Sequence, residues 1–512
     1  MDRRNLLAAG LAVAWASVCP AEDAGIGIFA GRNDLGAVQH PGSANYDPVA
    51  QTYALAGSGK NMWAKADEHC FLWKKLAGDF ILDARAHWAG AGADPHRKFG
   101  WIVRASLAAD SAYADVAIHG DGLASLQFRR ARGAVTEQIV SAATEPDVFQ
   151  FARKGTRYSM SVARFGAPLN AAGKTAGTTT ELDLDLGDEV YVGLFVCSHR
   201  PEVVEHAVFG NVRISIPAKD GFRPYRDYLG SRLETMDVAT GARQTLHSVH
   251  DSLQAPNWTR DGKALLCNRN GRIVRFDLAT KQLAPVDTGG VVNNNNDHVL
   301  SFDGTQLGIS SAAGPLRKST IYTLPAGGGA PRQVTASDRH SYLHGWSPDG
   351  KFLLFTGERN GDFDIFRIPA AGGAEVNLTK APGLDDGAEY APDGQTIYFN
   401  STRGGRMQIW KMDADGGRQT AVVADENNNW FPHVSPDGKA IVFLSFPGDV
   451  DPRDHPFYKQ VQLRLAPVAG GAPRTIAYLY GGQGTINVPS WSPDGKRLAF
   501  VSNTAGIPAA SP

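Results

Sequence analysis

Three imidazoles and a carboxylate recur at nearly the same place in a repeating pattern. His298 and His344 each stand two residues before the aromatic or apolar residue that opens a repeated turn, and Glu389 and His433 stand one residue before it in later copies. Imidazole nitrogens and a carboxylate gathered around one point form the donor set of a divalent-metal site, with His298, His344 and His433 as ligands. Without a metal, the same four residues could move protons. A polar channel that only holds water would have this composition too, so all three readings stay open. Asn257, Asp386, Asn429, Trp430, Gln483 and Asn487 lie close to these positions. Amides match hydroxyl groups as both donors and acceptors, an indole offers a flat face to a sugar ring, and carboxylates can work as acid and base. Asn and Asp also serve ordinary turns, which is the competing explanation.

These residues can meet only if the repeat brings them to one axis. The turn occurs six times: Thr259-Arg260-Asp261-Gly262, Ser301-Phe302-Asp303-Gly304, Ser347-Pro348-Asp349-Gly350, Ala391-Pro392-Asp393-Gly394, Ser435-Pro436-Asp437-Gly438 and Ser492-Pro493-Asp494-Gly495. Pro presets its backbone angle, Asp bonds to nearby backbone, and Gly accepts the left-handed conformation before the next strand. The residues before the turns (Trp258, Leu300, Trp346, Tyr390, Val434 and Trp491) are spaced by 42, 46, 44, 44 and 57 positions. A four-stranded unit of about 40–45 residues is a propeller blade. The long last interval holds an insertion near Pro447 to Lys459, in which His455 has no evident partner. After the last turn only one strand remains, and the strands expected around 231–247 would complete its blade and leave no open edge. The expectation is six blades over 229–503, with a tail at 504–512. The innermost strand of each blade should carry the candidate residues to one mouth of a central channel.

Trp346-Ser347-Pro348-Asp349-Gly350-Lys351 and Trp491-Ser492-Pro493-Asp494-Gly495-Lys496 match in full the W-S-P-D-G units of the TolB family, which residues 230–503 resemble. The resemblance implies a six-bladed β-propeller. It does not imply one activity, because such blades serve enzymes and scaffolds alike.

Residues 25–215 lack the repeat and alternate in the manner of an antiparallel sandwich. The order Phe71-Leu72-Trp73, Gly78-Asp79-Phe80, Gly100-Trp101-Ile102-Val103-Arg104 and Phe209-Gly210-Asn211-Val212-Arg213-Ile214 resembles concanavalin-like jelly-roll domains of secreted bacterial proteins. Trp63, Trp88 and Trp101 are either sugar-stacking faces or ordinary core. Residues 216–228, with two prolines and several charges, read as a linker. Cys70 and Cys197 are either bridged or separate buried thiols. The fold class is therefore all-β: a concanavalin-like sandwich followed by a six-bladed propeller.

Residues 1–21 read as a signal peptide. Arg3-Arg4 precede a short apolar run from Leu6 to Val18, too short to span a bilayer, in a pattern that also resembles a twin-arginine export signal. A periplasmic or secreted protein is expected, with no transmembrane segment. Lys and Arg number 51 against 52 Asp and Glu, a net charge of −1, which argues against a nucleic-acid partner. No P-loop, dinucleotide fingerprint or nucleophile-elbow motif occurs, so a nucleotide cofactor is not expected. Two functions remain. In one, the protein binds or processes an acidic poly- or oligosaccharide, with a divalent metal in the channel, by lyase or hydrolase chemistry. In the other, it is a non-catalytic periplasmic scaffold with a cell-envelope protein partner.

Overall fold

The computed structural model describes residues 26–165, 178–359 and 361–507; residues 1–21, where a signal peptide is expected, and the end of the tail, 508–512, lie outside them. Among the described residues every regular element is a strand, and no helix is long and apolar enough to cross a membrane.

The N-terminal part consists of two seven-stranded antiparallel sheets and a small two-stranded hairpin. One sheet has Phe80–Trp88 and Glu205–Ser215 near its centre, and the other has Lys98–Arg104 and Glu189–Cys197. Alternate residues of both sheets fill one shared core, including Leu72, Leu82, Phe151, Leu194 and Phe209. This is the outcome when period-two apolar strands can bury only one face each. Trp101 is fully buried in that core, so it offers no surface for a ligand. Trp88 is covered by the Arg97 guanidinium, 4.3 Å above its ring, whereas Trp63 stays 36% exposed. Cys70, Cys197 and Cys267 are three free buried thiols.

Five four-stranded sheets follow, and a sixth, three-stranded sheet closes the ring. The turn motif works as its chemistry dictates. In the third blade Ser347 Oγ donates to Asp349 Oδ1 at 2.6 Å, Asp349 accepts from Lys351 N at 3.1 Å, and Gly350 takes a φ of 70°. The Trp346 indole donates across to the Val299 carbonyl of the preceding blade at 2.9 Å, and Trp491 does the same to His433. Each of these anchors therefore joins its blade to the one before it.

Closure pairs Gly230–Asp237 with Arg497–Thr504, with Leu233 opposite Val501. Arg243–Val249 is the outer strand of that blade. Its innermost segment is reduced to the single bridge Trp491–Leu498. Glu234 sits fully buried on the closing strand. It accepts from Ser502 on the last strand at 2.5 Å, from Arg243 at 2.8 Å and from Arg213 of the N-terminal part at 3.1 Å. Burial works against its charge, but the two guanidiniums outweigh that and hold the carboxyl down at about 2. Around this group the N-terminal sheet docks on the propeller: Asn211 bonds both Gly241 and Arg243 backbone, and Gln51 brackets Thr245.

Glu234→Gln should cost roughly 3–5 kcal/mol of stability, because two buried guanidiniums lose their counter-charge. Denaturant unfolding at neutral pH measures this. A loss within 1 kcal/mol would show that the carboxylate does not tie the two parts together.

Candidate functional site

The inner strands do not run evenly into the channel. In each of the five complete blades the pairing of first and second strand slips once, between Gln254 and Asn257, Asn294 and His298, Leu343 and Gly345, Asp386 and Glu389, and Trp430 and His433. A bulge of this kind re-aims one side chain and resets the in–out alternation. Gly387, inside one of them, has a φ of 67°. His344 is itself the extra residue in its blade, whereas His298 stays paired with Ile309.

The two histidines, matched in sequence, therefore go to different places. His298 is fully buried, with Nε2 3.2 Å from the Leu266 carbonyl of the neighbouring blade, and burial pushes it down to about 4. His344 faces a cavity of about 330 Å³ at one mouth, lined also by Asp297, Asp386, Gln483 and Asn487. Glu389 lies in a separate cavity of about 130 Å³ at the other level of the channel. His433 is buried with it: Nδ1 is 2.6 Å from Glu389 Oε2, and Nε2 touches the Ile486 carbonyl. The expected gathering of His298, His344, Glu389 and His433 at one point is thus not what the fold produces. Among the described residues no group of three His, Cys, Asp or Glu is placed to hold a metal.

The other candidates divide the same way. Asp386, Gln483 and Asn487 line the mouth cavity, with Asn487 Nδ2 donating to Gln483 Oε1 at 2.9 Å. Asn257 is a structural link, donating to Pro489 O and accepting from Leu300 N. Asn429 is fully buried in a network with Gln408 and Ser445. Trp430 is fully buried in the core, where its ring meets the edge of His455 at 4.5 Å.

The chemistry at the mouth centres on Asp386. Its Oδ1 accepts from Thr356 at 2.6 Å and from Gly387 N at 2.8 Å, and His344 Nε2 lies 2.8 Å away. Burial opposes the Asp386 charge, but His344 overrides it and holds the carboxyl at about 2. Burial likewise disfavours a charged His344, yet Asp386 holds it above its ordinary value. His455, without an evident partner along the chain, finds one in the fold: its Nε2 stands 3.9 Å from Asp386 Oδ2. Asp297 lines the same cavity, and burial pushes it up to about 7. The mouth thus holds an ionised Asp386 against an imidazole biased toward its charged form, beside a carboxyl that gives up its proton only near neutral pH.

Sequence reasoning missed Asp297, His455, Tyr225, Tyr342, Phe363 and Arg453, all of which line this cavity. Tyr225 belongs to the segment read as a linker. That segment lies over the propeller: Ala218 N donates to Tyr480, Leu229 N donates to Tyr458, and Phe222 packs on Tyr458.

Asp297 has a folded value raised above the 3.8 of the free group. Its contribution is therefore most favourable below pH 4 and is lost as the pH rises toward about 7. Asp297→Asn should gain stability relative to the native chain between pH 4 and 8, by on the order of 2–4 kcal/mol. Denaturant titrations at the two pH values measure it, and a pH-independent difference would place the buried proton elsewhere.

Comparison with known proteins bears on the propeller. A sequence-family model described as a TolB beta propeller domain matches residues 317–450. The uncharacterized protein Atu1656 of Agrobacterium fabrum is 42% identical over 272 residues, which is 53% of this chain and 92% of that protein. A solved structure of a provisionally assigned TolB from Agrobacterium tumefaciens has 41% identity and a TM-score of 0.52, covering 55% of this chain and all of that one. TolB from Acinetobacter baumannii has 18% identity and a TM-score of 0.40, over 50% of this chain and 64% of that one. With the six blades, their closure and the likeness to the two Agrobacterium proteins, which are covered over nearly their whole length, the chain belongs to the TolB-like β-propeller family.

Proposed function

We propose that the protein is exported and binds an oligosaccharide at the mouth of the propeller covered by residues 216–229. One observation carries this reading: a single cavity combines amides (Asn295, Asn296, Gln483, Asn487), aromatic faces (Tyr225, Tyr342, Phe431) and the His344–Asp386 pair beside Asp297. Amides match sugar hydroxyls, aromatic rings match the apolar faces of pyranose rings, and a carboxyl near its midpoint can donate a proton to a sugar oxygen. The volume, about 330 Å³, falls within the range of small-ligand sites.

Asp386, fixed by Thr356, Gly387 and His344, is the acceptor that would orient the ligand. Asp297 is the group suited to general acid chemistry on a bound glycoside. The reading does not use His298 or His433, which have their own buried partners. In this proposal the N-terminal sheets are a concanavalin-like sandwich that holds the covering segment in place.

Calorimetric titration of the full chain with oligosaccharides tests the reading. Binding is expected, and His344→Ala should weaken it at least about tenfold while circular dichroism stays unchanged. Equal binding by His344→Ala would move the site away from the mouth. Absence of glycan binding, with capture of an envelope protein instead, would favour the scaffold function.

A further inference from the structure

A second cavity, of about 460 Å³, runs on from the mouth and shares Tyr225, Asn295, Asn296 and Gln483 with it. Among the described residues no charged side chain lines it. Eight of its thirteen lining residues are amides, drawn from the inner strands and turns of the first two blades and from Gln483 of the last. Two of them are more than nine-tenths buried yet carry a polar atom without a partner: Asn294 Oδ1, an acceptor, and Asn296 Nδ2, a donor. Such atoms are costly to bury unless something supplies the missing bond. A sugar hydroxyl both donates and accepts, so one chemical group could serve either atom.

The outer wall is aromatic. Phe457, from the insertion in the fifth blade, meets Tyr225 edge-on at 5.0 Å and Tyr228 at 5.9 Å. The two tyrosines remain 56% and 38% exposed. Phe457 thus fixes two rings whose remaining surface is open to the groove. A uronate chain would bring one carboxylate per unit into a groove with no cation to meet it, at a desolvation cost an uncharged sugar does not incur.

We propose that this groove is an extension subsite for a linear, uncharged oligosaccharide, whose end occupies the mouth cavity and whose further units lie between the asparagines and Tyr228. The inference rests on the glycan-binding reading above, and it replaces the acidic saccharide expected from the sequence by a neutral one.

The test is calorimetric titration of the full chain with cello-, malto-, chito- and galacturonate oligosaccharides of two to six units. Tyr228→Ala and Tyr228→Phe are compared with the native chain. Affinity for a neutral series should rise about three- to tenfold with length, the amount an aromatic contact supplies. Tyr228→Ala should abolish that rise and leave the dimer's affinity unchanged, and Tyr228→Phe should keep it. Length-independent binding, equal loss for dimer and hexamer, or preference for galacturonates would overturn the extension subsite while glycan binding stands. Failure of every series to bind would overturn the glycan-binding reading, and the subsite with it.

Discussion

One buried carboxylate governs how the molecule is put together. Glu234 lies on the strand that closes the ring, and its partners come from three places: its own hairpin, the last strand of the chain and the N-terminal sheet. A lone buried carboxylate would be strongly unfavourable, and so would Arg213 or Arg243 without it. Each partner removes part of that cost and full compensation needs all three, which couples ring closure to docking of the N-terminal part. Docking in turn fixes the direction in which the chain leaves Ser215. From there it crosses the propeller mouth, pinned by Tyr480 and Tyr458, before entering the ring at Gly230. The covered mouth is thus a consequence of the interface around Glu234.

The channel has two chemical levels, and the bulges create both. On one side of the slip in the fourth blade stands Asp386, with His344 and an open cavity; on the other stands Glu389, tied to His433. Only two residues separate the two carboxylates in sequence. Regular alternation would not give this arrangement, because a strand without the slip would keep a fixed two-residue register along its whole length. The left-handed Gly387 lets the backbone make the change without strain.

The propeller was legible because its turn chemistry is local. Ser, Pro, Asp and Gly specify a hairpin whatever surrounds them, and six copies fix the blade count. Closure was legible from strand bookkeeping around 231–247 and 497–502. The site was only partly legible. Asp386, Gln483 and Asn487 reach the mouth as their positions suggested. His298 does not, because a match to His344 in sequence does not carry across a bulge that falls at a different residue. Asp297, the immediate neighbour of His298, faces the cavity instead, so a one-residue error of face hid the carboxyl with the most displaced proton at the mouth. Tyr225 and His455 were hidden for another reason. They sit in segments with no periodicity, whose position depends wholly on tertiary packing.

The pairing of Gly230–Asp237 with Arg497–Thr504 also has a meaning in time. A ribosome delivers the first of these strands long before the second. For most of the synthesis of the propeller, the inner edge of Gly230–Asp237 has no neighbour, and such an edge invites pairing with the wrong chain. The N-terminal sheets are complete by then, since their last strand ends at Ser215. Arg213 can already hold Glu234, and Asn211 and Gln51 can already hold the turn and strand beside it. The earlier-made part of the chain thus serves as an internal template, keeping the waiting strand in register until the last one arrives.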